Sequence, residues 1–368
     1  MRTITIKPKA LTHNLNQVKQ RAPQSKVLAM VKSNAYGHGV AAVLPALQQA
    51  DGIGVATLTE ALEARQLGWD KTIGLVEGAF SADEWQQSID HEISCVIHHG
   101  PQLEWALQNI PPAGSATRVA WLKYNTGMNR LGFNAEGVLS AAKCLHEAGY
   151  QLILATHFAN ADDHDHPLNA MQIERFSSVL ATLKETISPG IQGSLCNSAG
   201  IVNFPEYHYD WVRPGIILYG SSPVVDKSAQ ELDLQPAMEF SAQIIALQTV
   251  SANDAIGYGS RWRAQQDTRT ALVSVGYGDG YPRVVTDDAY VIVMDANDSQ
   301  SYRCPVIGRV AMDMIVIDIS SAPESLAIDS KVMLWGDAPR VDEVAGHAGT
   351  ISYELLCRLS IRPNRTQA

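Results

Sequence analysis

Charge is scarce in this 368-residue chain: Asp, Glu, Lys and Arg make up 18% of it, and the net charge is −10. No basic run interrupts the acidic excess, which argues against a nucleic-acid-binding surface, where Lys and Arg must cluster. Cysteine is sparse too. Cys95, Cys144, Cys196, Cys304 and Cys357 are odd in number and form no CxxC pair. That disfavours a disulfide framework or a zinc site, and reduced thiols in the cytoplasm are the expectation. No stretch approaches the roughly 18 consecutive apolar residues of a membrane span. The opening MRTITIKPKALTHNL lacks the apolar centre of a secretory signal. There is no internal repeat. What is present is apolar residue, 46% of the chain, enough to give roughly two domains of about 150–200 residues a real core.

Two rhythms divide the chain. Up to about residue 220, short apolar runs alternate with helix-length segments. The runs are VLAMVK (27–32), IGVAT (53–57), TIGLVE (72–77), ISCVI (93–97), VAWLKY (119–124), LILATHF (152–158), GSLCN (193–197) and DWVRP (210–214). TEALEARQLG (59–68) and NAMQIERFSSVLATLKET (169–186) are amphipathic and predict helices between them. Eight strands alternating with helices predict parallel pairing and closure into a (β/α)8 barrel, placed at 1–228. After a polar, proline-bracketed stretch (221–236) the helical intervals thin out. Runs at 238–250, 268–283, 289–297, 302–320 and 330–336 predict a mainly antiparallel β domain over 229–368, closed by one helical segment near 341–359.

Barrel enzymes carry their chemistry at the C-terminal strand ends. Those positions hold Lys32, Lys123 and His157, then Asn197 and Ser198 after strand seven, and Arg213 and Gly215 after strand eight. The loops after strands seven and eight are where such barrels hold phosphate, and CNSAG and RPGI offer a hydroxyl and free backbone amides. A lysine desolvated at a barrel mouth loses its charge more readily, and a neutral amine condenses with aldehydes. Pyridoxal 5′-phosphate is an aldehyde that carries a phosphate. An ordinary strand-end lysine with its head in solvent is the competing reading. The acidic DDHDH cluster (162–166) fits no familiar metal-ligand spacing, and a solvated loop without metal is expected there.

VKSNAYGHG (31–39) resembles the signature of alanine racemases, fold-type III pyridoxal-phosphate enzymes. Further resemblances follow in order: WLKYNTGMNRLGF (121–133), THFANAD (156–162), NSAG (197–200), VRPGIILYG (212–220), GYG (257–259), VGYGDGYPR (275–283), GRVAMD (308–313) and GTISYE (349–354). The resemblance implies a (β/α)8 barrel followed by a β domain, and interconversion of L- and D-alanine through a Schiff base on Lys32. It implies Lys32 and Tyr258 as two bases on opposite faces of Cα. It places His157 beside the tyrosine and beside Arg213, with Arg213 on the cofactor's pyridine nitrogen. Tyr36, Asn197, Ser198, Gly215, Ile216 and Tyr353 are implied at the cofactor. Arg130 is implied at its phenolic oxygen and at the substrate carboxylate, which also meets the amide of Met312. Lys123 is implied as a carbamylated lysine holding Arg130. Tyr277, Arg309 and Asp313 are implied along the access channel.

Asn125 stands where many relatives carry aspartate. The resemblance further implies a cytoplasmic homodimer with Tyr258 reaching across to its partner's barrel. Alternatives are a racemase of another small amino acid such as serine, a decarboxylase of the same fold type, and a non-catalytic pyridoxal-phosphate carrier. The β domain argues against the carrier. Relatives that decarboxylate place a glutamate where this chain has Arg213.

Overall fold

The computed structural model describes residues 2–295 and 300–368. After a short strand β1 (Thr3–Ile6) come eight parallel strands: β2 (Lys26–Met30), β3 (Gly52–Val55), β4 (Thr72–Leu75), β5 (Ile93–Ile97), β6 (Val119–Lys123), β7 (Gln151–Ala155), β8 (Gln192–Ser194) and β9 (Trp211–Val212). They pair in the order β8-β7-β6-β5-β4-β3-β2-β9. Closure comes from the Asp210 N–H donating to the Gly193 carbonyl at 3.1 Å and the Arg213 N–H to the Cys196 carbonyl at 2.9 Å. The barrel expected from the alternation is therefore present. Its last two strands are the shortest, and side chains supplement their backbone pairing. The Asp210 carboxylate accepts from the Gly193 N–H at 2.7 Å, and Ser194 Oγ donates to the Trp211 carbonyl at 2.9 Å. The two helices expected from the amphipathic stretches span Leu58–Gln66 and Pro167–Thr186.

Leu28, Val96, Trp121, Ile153, Ala155 and Trp211 form a separate apolar cluster, with the two indoles 5.3 Å apart. These residues plug the barrel interior. Because strand side chains alternate, residues two or four further along point the same way, one or two layers nearer the mouth. Leu28 leads to Lys32, Trp121 to Lys123, Ile153 to His157, and Trp211 to Arg213. The functional side chains stand on top of a packed floor.

The second sheet contains β10 (Met238–Val250), β13 (Thr268–Val273), β14 (Tyr290–Met294), β15 (Ser301–Ile307), β16 (Ile315–Asp318), β17 (Lys331–Trp335) and β18 (Asn364–Gln367). Between β10 and β13, β11 (Ala255–Ile256) and β12 (Trp262–Arg263) make a two-stranded ribbon. The large sheet runs β13-β16-β15-β14-β17-β10-β1-β18 and closes through an added β13–β10 pairing. At 13 residues, β10 is long enough to serve β1 and β17 with its first half and β13 with its second. Pairing is antiparallel except between β1 and β18.

Two details differ from the expectations. Thr3–Ile6 lies within the 1–228 span read as barrel, yet it pairs with β10 and β18 in the second sheet. The C-terminal helical segment is two helices, Val341–Ala348 and Ser352–Cys357, separated at Gly349, whose φ of 65° favours glycine. The last two residues of the run at 289–297 lie outside the described residues.

Candidate active site

The turn after β2 winds the wrong way. Ser33, Asn34, Ala35 and Tyr36 have φ of 56°, 52°, 52° and 51°, a left-handed turn containing no glycine. Such backbone costs about 1–2 kcal/mol per residue, so the surroundings must hold it. Glu60 Oε1 accepts from the Ser33 N–H at 2.6 Å, and Asn34 Oδ1 from the Val40 N–H at 3.0 Å. The result swings Tyr36 over the barrel mouth. Its ring stacks on Tyr219 at 4.7 Å, and Tyr219 Oη donates to the Met30 carbonyl at 2.8 Å.

A cavity of about 520 Å³ opens at this mouth. Lys32, Tyr36, Lys123, Arg130, His157, Asn197, Ser198, Arg213, Gly215, Ile216 and Tyr353 all line it, so eleven of the residues named from sequence converge on one space. Gly215 is needed for this approach, because a Cβ there would lie 2.4 Å from Tyr36 Oη. The Gly215 N–H donates to Ser198 Oγ at 2.7 Å, and Asn197 caps the short helix Ser198–Asn203 by accepting from the Gly200 N–H at 2.9 Å.

The cavity is strongly cationic. Burial, then the charges of Arg213, Arg130 and Lys32, hold the Lys123 ammonium well below the usual lysine value. His157 is held well below the ordinary histidine value by burial first, then by the charges of Lys123, Arg213, Arg130 and Lys32. Arg213 is pushed down to about 10 by burial, so it stays protonated near neutrality. It donates to Ser194 Oγ and the Thr156 carbonyl, and to the Leu195 carbonyl at 3.3 Å. Asp210, an acid near it in sequence, is engaged elsewhere, at the Gly193 amide. Desolvation pushes the Tyr36 and Tyr353 phenols up, keeping both as neutral hydroxyl donors.

The remaining candidates lie elsewhere. Tyr258, in the ribbon between β11 and β12, is 73% exposed and lines a second cavity of about 300 Å³ together with Tyr277 and Arg309. No residue is common to the linings of the two cavities. Met312 is 53% exposed. Asp313 accepts from Arg362 Nη2 at 2.7 Å. The acidic cluster at 162–166 leads into a helix, with His166 accepting from the Leu168 N–H at 3.2 Å as its cap.

Sequence reading passed over Glu60, Glu77, Thr156, Ser194 and Tyr219. Glu77 was reachable, since it ends the run TIGLVE at the same strand-end position as Lys32. Glu60 had only the signal of a capping box with Thr57, which says nothing of its hold on Ser33.

Comparison with known proteins agrees with this geometry. The model for the alanine racemase N-terminal domain matches residues 6–223, and that for the alanine racemase C-terminal domain matches residues 237–367. An alanine racemase of Psychrobacter sp. (strain PRwf-1) is 55% identical over 99% of this chain and 98% of its own. The alanine racemase structure from Acinetobacter baumannii superposes with a TM-score of 0.92 at 46% identity, covering 100% of this chain and 99% of that one. The Bartonella henselae alanine racemase, solved with covalently bound pyridoxal phosphate, superposes at 0.86 with 26% identity, covering 100% and 99%. By its two domains, the order of its motifs and the full length of these matches, the chain belongs to the alanine racemase family.

Proposed function

We propose that this protein interconverts L- and D-alanine with pyridoxal 5′-phosphate held at the barrel mouth. The observation that carries the reading is the cationic cavity itself: Lys32 projects beyond the apolar floor, with hydroxyls and bare backbone gathered alongside. The residues fit the group. Ser198, Tyr36, Tyr353 and the amides of Gly215 and Ile216 would hold the phosphate, and the missing Cβ at Gly215 lets the Tyr36 hydroxyl come up against that backbone. Lys32 would hold the aldehyde carbon, and Arg213, fixed by three acceptors, would donate to the ring nitrogen. When bound, pyridoxal phosphate supplies the electron sink that makes the Cα proton of alanine removable.

The chain's residues then divide the proton work. Lys32 takes or returns the Cα proton on one face, and Tyr258 does so on the other. Since Tyr258 is exposed and lines a different cavity from Lys32, its partner would be the Lys32 of a second copy, in a homodimer with shared sites. Arg130 and the Met312 amide hold the substrate carboxylate, while Tyr277, Arg309 and Asp313 line the approach. His157, held uncharged near neutrality by burial, offers a ring nitrogen that can accept a hydrogen bond without adding another positive charge. Lys123, held well below the usual lysine value, would attack carbon dioxide through its neutral amine, and loss of a proton would leave a carbamate, an anion beside Arg130 in place of another cation. The positively charged Arg213 favours racemisation over decarboxylation, for which relatives of this fold type use a glutamate.

The test is incubation of the purified protein with pyridoxal phosphate and either enantiomer of alanine. Both should converge on an equal mixture, and borohydride should attach the cofactor to the peptide containing Lys32. Carbon dioxide release in place of the opposite enantiomer would overturn the reading.

A further inference from the structure

Asp279 is fully buried, outside the lining of the barrel cavity, in the turn Gly276–Gly280 that carries Tyr277. Both ends of the chain come to it. Arg2 Nε lies 3.1 Å from Oδ2 and Arg362 Nε 3.4 Å from Oδ1. The Gly276 N–H donates to Oδ2 at 3.0 Å, and the Ser360 N–H to the Asp279 carbonyl at 3.2 Å. The same two arginines continue to the neighbouring loop. Arg362 Nη2 donates to Asp313 Oδ1 at 2.7 Å, and Arg2 Nη2 to the Asp313 carbonyl at 3.3 Å. A buried carboxylate facing two guanidiniums is a poor source of stability compared with packed apolar groups, so its use lies in geometry.

That geometry bears on one peptide group. The Tyr277 N–H donates to the Ala311 carbonyl at 3.1 Å, and the Gly278 N–H to the Met312 carbonyl at 2.9 Å. The Ala311 carbonyl and the Met312 N–H belong to one planar trans peptide, so fixing the first aims the second. The loops also meet backbone to backbone: a Cβ at Gly276 would lie 2.3 Å from the Ala311 carbonyl oxygen.

We propose that Asp279 is a positioning residue, whose two arginines lock the Tyr277 turn onto the 311–313 loop and so aim the Met312 amide. The assignment rests on the reading of that amide as a contact of the alanine carboxylate in a partner's barrel. Misaiming it weakens substrate binding and leaves the cofactor's own cavity untouched.

The experiment measures steady-state kinetics of the holoenzyme in both directions for Asp279→Asn, Arg362→Gln and Arg362→Lys. Asp279→Asn should raise KM for alanine about tenfold while kcat falls less than about threefold. Arg362→Gln should raise KM about threefold, and Arg362→Lys, which keeps the charge but not the fork that reaches both Asp279 and Asp313, should recover part of that loss. Cofactor absorbance and affinity should match the wild type throughout. If Asp279→Asn does not fold, the half-exposed Arg362 pair decides the matter. Unmoved KM in folded variants, or equal losses in the glutamine and lysine variants, would overturn the proposal. A wild type that turns over no alanine defeats the underlying reading as well, so the two failures are told apart.

Discussion

At the barrel mouth, Lys123, His157 and Arg213 are enclosed, and burial displaces the protonation of all three. On the second domain, Tyr258 and Met312 stand 73% and 53% exposed, on a face that this chain does not cover. The first region is assembled within the fold, on a floor of packed indoles, and its strained turn is held by Glu60 and Asn34. The second has its backbone tied by contacts at Asp279, yet is open at its side chains. Under the function proposed above, folding completes the cofactor half of the site, whereas the opposite half needs association.

The sharpest way to break that comparison is complementation. Lys32→Ala and Tyr258→Phe should each lower turnover by about a thousandfold or more. Mixing the two should restore about a quarter of wild-type activity, because half the dimers are mixed and each holds one intact site. Failure to recover despite demonstrated subunit exchange would place both bases within one chain.

A smaller effect concerns pH. His38, buried beside Tyr219 with Nδ1 on the Tyr36 carbonyl, is pushed down to about 4 by burial. The unfolded imidazole titrates near 6.5. Between these values the unfolded chain binds more protons than the folded one, so stability falls as pH drops through that window. The loss should reach about 2 kcal/mol by pH 5, read as a falling denaturant midpoint, and His38→Asn should flatten the curve by that amount. An unchanged slope in the variant would show that the acid sensitivity lies away from the mouth.

The smallest expected effect is Gly215→Ala. Its Cβ, 2.4 Å from Tyr36 Oη, must displace the phenol, at about 1–3 kcal/mol. Pyridoxal phosphate affinity, followed by absorbance titration, should fall about tenfold, and the thermal midpoint of the protein without cofactor should drop by a few degrees. Unaltered affinity would separate Gly215 from the phosphate.

Much of the barrel was legible in the sequence because a buried parallel strand announces itself as a short apolar run between helices. All eight runs became strands, and the weakest two, at 193–197 and 210–214, became the shortest. Thr3–Ile6 was not legible as part of the second sheet, because its partners β10 and β18 lie more than 230 residues away. The left-handed turn at Ser33–Tyr36 left no trace either. None of its residues is glycine, and Glu60, which holds it, is 27 residues from Ser33.

Local chemistry in the sequence therefore settled which residue types stand at the strand ends, Lys32, Lys123, His157 and Arg213 among them. Alternation along a strand is a short-range rule, and it survives folding. Only the tertiary structure decided that Tyr258 and Lys32 line different cavities, that Arg213 rests on Ser194 and Thr156, and that Arg2 and Arg362 meet at Asp279. Those contacts join residues distant in the chain, and their geometry follows from how two closed sheets pack.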